Sequence, residues 1–286
     1  MESVIHSQVN PIMKLITFQE FDNIFQKNVA NVFTFYNDTM QLETGQHNAG
    51  WLPGRIDLHQ YVKSSAIRYY KIYCHLVENN VQSVCDVGGF FSAFPLTLHQ
   101  LGFSVTMTEA LKYYSESFTP LFNYVRSNGV TIVDYDPFEE PFHGNTTYDA
   151  VFALAVIEHY PHSLSFFLNN LKAMMHHNGI IVIDVPNIAY LRKRLRFLFG
   201  KTPLTHAATI YDSKIPFIGH HHEYTMEELL EVMNKANLNV VTKFYLNYSP
   251  SRIISVKNFL KNPVSSLLFM IFPNLRETIG VISKKR

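Results

Sequence analysis

The chain has 286 residues, 47% of them apolar and only 16% charged, with a net charge of +1. That length and apolar content suit one large or two small globular domains with a full core, and exclude a wholly disordered chain. Near-zero net charge removes the global basic field that duplex nucleic acid needs. The only two cysteines, Cys74 and Cys85, cannot frame a disulfide scaffold, and the longest greasy stretch, residues 264–272, is about half of a membrane-spanning helix.

In chain order, residues 11–40 are aromatic and read as helical. Residues 41–55 hold Gly45, Gly50, Pro53 and Gly54 and read as a loop. From 56 to 77, Leu58, Tyr61, Val62, Ile67, Tyr70 and Cys74 recur at helical spacing. A strand follows over 81–87, ending in an acid and a glycine pair. A helix over 92–101, a strand over 103–108, a helix over 111–127 and a strand over 130–133 come next. Residues 148–154 form the fourth strand. A helix over 163–176 is closed by Asn178-Gly179, a C-cap signal. The run 180–185 is continuously apolar but for Asp184, as suits a strand buried on both faces. Helix 225–234 opens on a capping box, Thr225 with Glu228, and strands at 238–246 and 278–283 complete the series.

Alternating strands and helices predict an α/β fold with a mostly parallel sheet covered on both faces. Ligands in such sheets bind beyond the carboxyl ends of the strands. That rule directs attention to residues 86–92, 109, 134–136, 153–159 and 186–187. Gly88 and Gly89 permit a tight turn after the first strand. Glu109, at the end of the second strand about 20 residues later, is placed to accept hydrogen bonds from a ribose diol. A nicotinamide enzyme and a methyltransferase both remain open at this point. The dinucleotide fingerprint fails, however, because Phe90, Phe91 and Ser92 occupy its later positions. An adenosyl ligand without phosphates fits better.

The motifs together resemble the class I S-adenosylmethionine-dependent methyltransferases. Asp86-Val87-Gly88-Gly89-Phe90-Phe91-Ser92 is similar to their first motif, acid-x-Gly-x-Gly-x-Gly, with Phe90 and Ser92 in place of two glycines. Asp134-Tyr135-Asp136-Pro137 is similar to their acidic loop after the third strand. Residues 148–159, ending in Glu158-His159, are similar to their fourth strand and its Glu-His signature. Val185-Pro186-Asn187, then Gly200, then His222-Glu223-Tyr224-Thr225, are similar to a subgroup of bacterial glycan and small-molecule methyltransferases. The resemblance spans residues 81–286. It implies a Rossmann-like seven-stranded sheet with an antiparallel last strand, and the helical residues 1–80 read as an N-terminal extension to it. Residues 188–224, a long stretch outside the regular sheet that carries Gly200, Pro203, Pro216 and Gly219 and ends at the histidines, are expected to form a lid insertion over the acceptor. The resemblance also implies S-adenosyl-L-methionine as cofactor, held by Asp86, Gly88, Gly89, Phe90, Glu109, Asp136, Ala153 and Ala155.

Methyl transfer to an oxygen needs in-line alignment and removal of a proton. His159 and the run His220-His221-His222 offer bases, and His159, His220 and His222 are the candidates. The small-RNA 2′-O-methyltransferases hold a divalent metal with Glu-x-x-Glu-His and a later His. Here Glu158, His159 and His220 fall on three of those places, but Ala155 replaces the first acid, so no metal is expected. Residues 192–201 hold the one concentrated basic run, Arg192-Lys193-Arg194-Leu195-Arg196, suited to a phosphorylated or lipid-linked acceptor or an anionic bilayer surface. Residues 265–272 are expected to pack on the sheet. The reading is a cytoplasmic, membrane-peripheral O-methyltransferase of a small polar acceptor such as a glycan sugar, not a duplex nucleic acid binder. An RNA methyltransferase and a non-catalytic scaffold are the alternatives. Nothing in the sequence specifies an oligomeric state.

Overall fold

The structure, a computed structural model, describes residues 13–41, 43, 57–161, 163–213, 217, 219–249 and 255–286. The loop expected over 41–55, with its three glycines, lies outside them apart from residues 41 and 43. Helix α1 (Phe18–Phe33) starts at a capping box in which Thr17 and Glu20 satisfy each other's orphan N–H groups. The single helix expected over 56–77 is two, α2 (Leu58–Ser64) and α3 (Ala66–Glu78), parted at Ser65. Ser64 and Ser65 both turn their hydroxyls back onto the Tyr61 carbonyl, a side-chain competition that weakens helix continuity.

Seven strands make one sheet in the order β3-β2-β1-β4-β5-β7-β6. They are β1 (Ser83–Val87), β2 (Ser104–Glu109), β3 (Thr131–Asp134), β4 (Tyr148–Leu154), β5 (Met175–Pro186), β6 (Leu238–Leu246) and β7 (Thr278–Lys285). The first five run parallel, and β7 runs antiparallel between β5 and β6. Strand alternation divides the core. Val84, Phe152 and Val182 face the N-terminal helices and α4 (Ala93–Gln100), whereas Cys85, Val151 and Ile183 face α6 (Leu164–Met174) and α9 (Met226–Lys235). Helices α7 (Leu191–Leu198) and α8 (Ala207–Tyr211) lie between β5 and α9 in the chain.

Three expectations change. The helix predicted from 111 begins as two 3₁₀ turns, Leu111–Tyr113 and Glu116–Phe118, and becomes α-helical only in α5 (Thr119–Ser127), where Pro120 suits a first turn. Helix α6 stops at Met174, and Gly179 lies inside β5 rather than at a helix end. The segment expected on the sheet forms α11 (Pro263–Ile271), whose Leu267, Met270 and Ile271 are exposed and whose Phe269 packs in a small separate cluster.

The boundary at residue 80 does not separate two bodies. Phe21, Phe25, Ile72 and Leu76 share one core with Val84 and Phe152. Arg68 of α3 reaches through that core to Asp184 of β5, both buried, with Nε 2.5 Å from Oδ2 and the second nitrogen on Oδ1. A bidentate guanidinium–carboxylate pair satisfies two charges that would otherwise be costly to bury.

Candidate active site

The carboxyl ends of β1, β2, β4 and β5 meet at one edge of the sheet. After β1 the chain turns through Gly88, whose φ of +74° suits glycine. A Cβ there would lie 3.2 Å from Val156 Cγ2. Gly89 is explained by packing instead: a Cβ would sit 2.7 Å from Met107 Sδ, against β2 rather than in open space. Phe90 and Ser92, at the two positions where the motif has glycine, have φ of +37° and +58°. The left-handed backbone is therefore kept although the glycines are not. Ala155 is also left-handed, at +57°, and its N–H donates to the Asp184 carbonyl at 2.9 Å and to Asp184 Oδ1 at 3.1 Å. Asp184 thus joins Arg68 to the turn that follows β4.

Asp86, Glu109 and Asp136 are buried around the β1–β2 end of this edge. Burial pushes the Asp86 carboxyl up to about 7, with Glu109 adding to the effect. Glu109 is also pushed up to about 7 by burial, against the hydrogen bonds it receives. Its Oε1 accepts from the Phe90 N–H and its Oε2 from the Tyr114 hydroxyl, each at 2.6 Å. Each oxygen retains a lone pair for a further donor. Asp136 is buried, accepts from the Phe138 N–H at 3.0 Å and pairs with Lys112. Asp134 is exposed and caps the Leu111 N–H. Ala153 is wholly buried near the end of β4.

Beyond β4, the 3₁₀ turn Ile157–His159 carries Glu158 and His159. The His221 N–H, at 2.7 Å, and the His222 N–H donate to the Glu158 carbonyl, pinning the end of the 188–224 segment against that turn. This brings His159 and His220 edge to face, ring centres 4.8 Å apart. His220 Nδ1 lies 2.9 Å from Glu223 Oε1, and Lys193 pairs with the other Glu223 oxygen. Burial, followed by the proximity of His159, Lys193 and His221, pushes the His220 imidazole down to about 2, so it is neutral. A hydrogen bond from Nδ1–H to Glu223 then leaves the lone pair on Nε2. His222 is not brought to this cluster: its ring is more than half exposed and turned to Glu228, 3.5 Å away at the start of α9. The Thr225–Glu228 capping box is formed, which is why Glu228 stands there.

The Glu158 carboxyl has no accessible surface, and among the described residues no side chain or neighbouring backbone group pairs with either oxygen at hydrogen-bond geometry. Burial pushes it up to about 8; its own backbone N–H opposes this, Asp184 adds to it, and Arg68 and Lys193 oppose it. Ligating atoms of Glu158, His159 and His220 all lie within 4.8 Å of one another, close enough for one divalent ion to bridge. The donor set is one carboxylate and two imidazoles, with Ala155 where the small-RNA enzymes carry a further acid. A proton on Glu158 serves the same electrostatic need at neutral pH.

Sequence reasoning missed Arg68 and Asp184, and it saw Lys193 only as part of the basic run and Glu223 only as part of the family motif, not as partners of His220. Asp184 did carry a signal, an acid in a continuously apolar strand, which requires a buried partner.

A seven-stranded sheet in this order, with acids at the ends of β1 and β2 and a Glu-His turn after β4, is the architecture of class I S-adenosylmethionine-dependent methyltransferases. A family model described as a methyltransferase domain matches residues 76–243, and the chain belongs to that family. The chain is similar to the ubiquinone biosynthesis O-methyltransferase of Rickettsia prowazekii (strain Madrid E), 36% identical over 119 residues, 41% of this chain and 43% of that protein. Its likeness to the enzyme of the same name from Rickettsia canadensis (strain McKiel) is 35% over 119 residues, 41% of this chain and 48% of that one. The chain thus spans less than half the length of either relative. Among solved structures it is similar in fold to magnesium protoporphyrin IX methyltransferase from Synechocystis PCC 6803 with bound SAH, with a TM-score of 0.52 at 12% identity, covering 90% of this chain and 99% of that one. An S-adenosylmethionine-dependent methyltransferase from Clostridium acetobutylicum ATCC 824 gives 0.50 at 13% identity, covering 79% and 96%.

Proposed function

We propose that the protein transfers a methyl group from S-adenosylmethionine to a hydroxyl oxygen of a small acceptor, with His159 taking the acceptor proton and His220 positioning His159. The observation that carries this reading is the His159–His220 pair, pinned beyond β4 by the Glu158 carbonyl and held by Glu223 and Lys193. The acidic cradle suits a cofactor that is cationic at sulfur and at its amino group. Asp86 and the Gly88–Phe90 turn would face the amino-acid part, Glu109 the ribose hydroxyls and Asp136 the adenine edge, with Ala153 and Ala155 beside them.

When bound, the cofactor supplies an electrophilic methyl carbon on a sulfonium. The chain's residues hold the acceptor oxygen in line with the carbon–sulfur bond, which is catalysis by alignment. The acceptor's hydroxyl proton would pass to the His159 imidazole, against which the His220 ring packs edge to face. The Asn187–Tyr224 bridge closes the base of the 188–224 segment, whose described residues, with the N-terminal helices, would exclude water from the reacting pair.

Oxygen as the methylated atom is supported by the O-methyltransferase relatives. Their names point to a quinone-type hydroxyl rather than the glycan sugar suggested by the subgroup resemblance. The deciding test measures S-adenosylhomocysteine formation with a panel of phenolic, sugar and RNA acceptors, using wild type, His159→Ala and His220→Ala. Turnover of a phenolic acceptor, with kcat in each variant about 10²–10⁴-fold lower and cofactor affinity kept, supports the reading. Normal turnover in both variants refutes the histidine roles. Cofactor binding without turnover of any acceptor favours the scaffold.

A further inference from the structure

The base of the 188–224 segment and the connection between β6 and β7 are tied together at one residue. The Asn187 side chain donates to the Asn274 and Arg276 carbonyls at 2.8 and 2.7 Å, and its backbone N–H donates to the Glu277 carbonyl. Above that knot, Tyr190 and Leu191 pack against Leu268, Phe269 and Leu275. The start of α7 (Leu191–Leu198) is thereby held against α11, which follows α10 (Val256–Lys261) in the chain.

Both α7 and the α10–α11 segment leave large apolar side chains in water. Phe197 is 73% exposed, Leu198 74%, Leu260 77% and Val264 72%. Such a concentration marks an interaction surface. The same segments are one-signed in charge. No acidic residue lies between Asp184 and Asp212 or within 255–276, while Arg192, Arg194, Arg196, Lys201, Lys257 and Lys261 are exposed. Among the described residues no helix is long and apolar enough to cross a membrane.

We propose that this paired surface docks on an anionic phospholipid bilayer, the apolar side chains entering the headgroup boundary and the cations meeting lipid phosphates. Protein interfaces are depleted of lysine and of unpaired charge at their centres. A basic rim around aliphatic and aromatic side chains is the composition of interfacial helices. Docking would set the mouth of the site against the membrane, where an acceptor with a greasy tail resides. The proposal concerns the surface and does not depend on the acceptor or on turnover.

The test is co-sedimentation of the full chain with vesicles of phosphatidylcholine alone and of phosphatidylcholine mixed with phosphatidylglycerol. Binding is expected only to the mixed vesicles, falling as salt is raised. Replacing Arg192, Lys257 and Lys261 together by Gln should weaken it by about a hundredfold, at about fivefold per charge. The combined variant Phe197→Ser, Leu198→Ser, Leu260→Ser and Val264→Ser should abolish it while leaving S-adenosylhomocysteine affinity and Tm unchanged. Failure of the wild type to sediment with the mixed vesicles overturns the proposal, as does undiminished binding by the serine variant. A serine variant that turns a dimer into a monomer, with no vesicle binding by either form, would make the surface a self-interface instead. Since the measurement needs no methyl transfer, its failure leaves the catalytic proposal standing.

Discussion

Glu158→Gln removes one titrating group and leaves the shape of the protonated carboxyl almost unchanged. Glu158 titrates near 4.5 when unfolded and near 8 in the fold, because burial disfavours its charged form. A raised folded-state value means that the carboxyl's contribution is complete below about pH 4.5 and is lost as pH climbs through about 8. At about 1.4 kcal/mol per unit, the rise from 4.5 to about 8 caps that loss on the order of 5 kcal/mol; water entering the turn would lower the figure. Gln cannot titrate and escapes the loss. Equilibrium urea unfolding of both proteins at about pH 5 and about pH 8.5, with a chelator present, reads the difference as a shift in midpoint. The variant should gain relative stability by several kcal/mol between the two conditions. A difference that is the same at both would show that Glu158 is solvated or partnered in the fold, and the electrostatic account of the cluster would fail.

Gly88→Val should reduce S-adenosylhomocysteine affinity beyond calorimetric detection, because valine cannot hold a φ of +74° beside Val156; wild-type affinity in a folded variant would remove the β1 turn from the cofactor site. Glu109→Ala should weaken binding by about 1.5–3 kcal/mol per charge-assisted bond lost, and should also lower Tm, since the Phe90 N–H and Tyr114 hydroxyl lose their acceptor. Asp136→Ala should weaken cofactor binding more than Asp134→Ala; the reverse order in calorimetry would exchange their roles. Arg68→Ala should cost about 3–5 kcal/mol in urea unfolding by leaving Asp184 buried and unpaired, and a loss within about 0.5 kcal/mol would show that water reaches Asp184.

Strands β4 and β6 were legible to the residue, since each is an apolar-rich run bounded by polar turns. The His159–His220 meeting was legible only through family resemblance. Its physical cause, two backbone N–H groups reaching the Glu158 carbonyl, leaves no trace in residue types. His222 looked equivalent to His220 because adjacent histidines are chemically alike; the direction of the chain at the α9 cap separates them. Arg68 could not be matched to Asp184 across 116 positions, since periodicity describes a helix's buried face and not which buried group it meets. Phe90 and Ser92 read as a degraded glycine motif, yet the backbone they adopt is the one glycine favours.

The place of β7 between β5 and β6 also bears on how the molecule is made. On the ribosome β6 emerges before β7, yet its hydrogen-bonding edge pairs only with β7. A nascent chain reaching residue 246 therefore exposes two sheet edges, β5 and β6, about two strand spacings or 10 Å apart in the final structure. Neither can close until the later strand slots between them. During that interval the apolar run of β5 is an open pairing edge, and assembly of the sheet's final third is non-local and correspondingly slow. Pulse-labelled hydrogen exchange during refolding should then find β1 and β4 protected before β6.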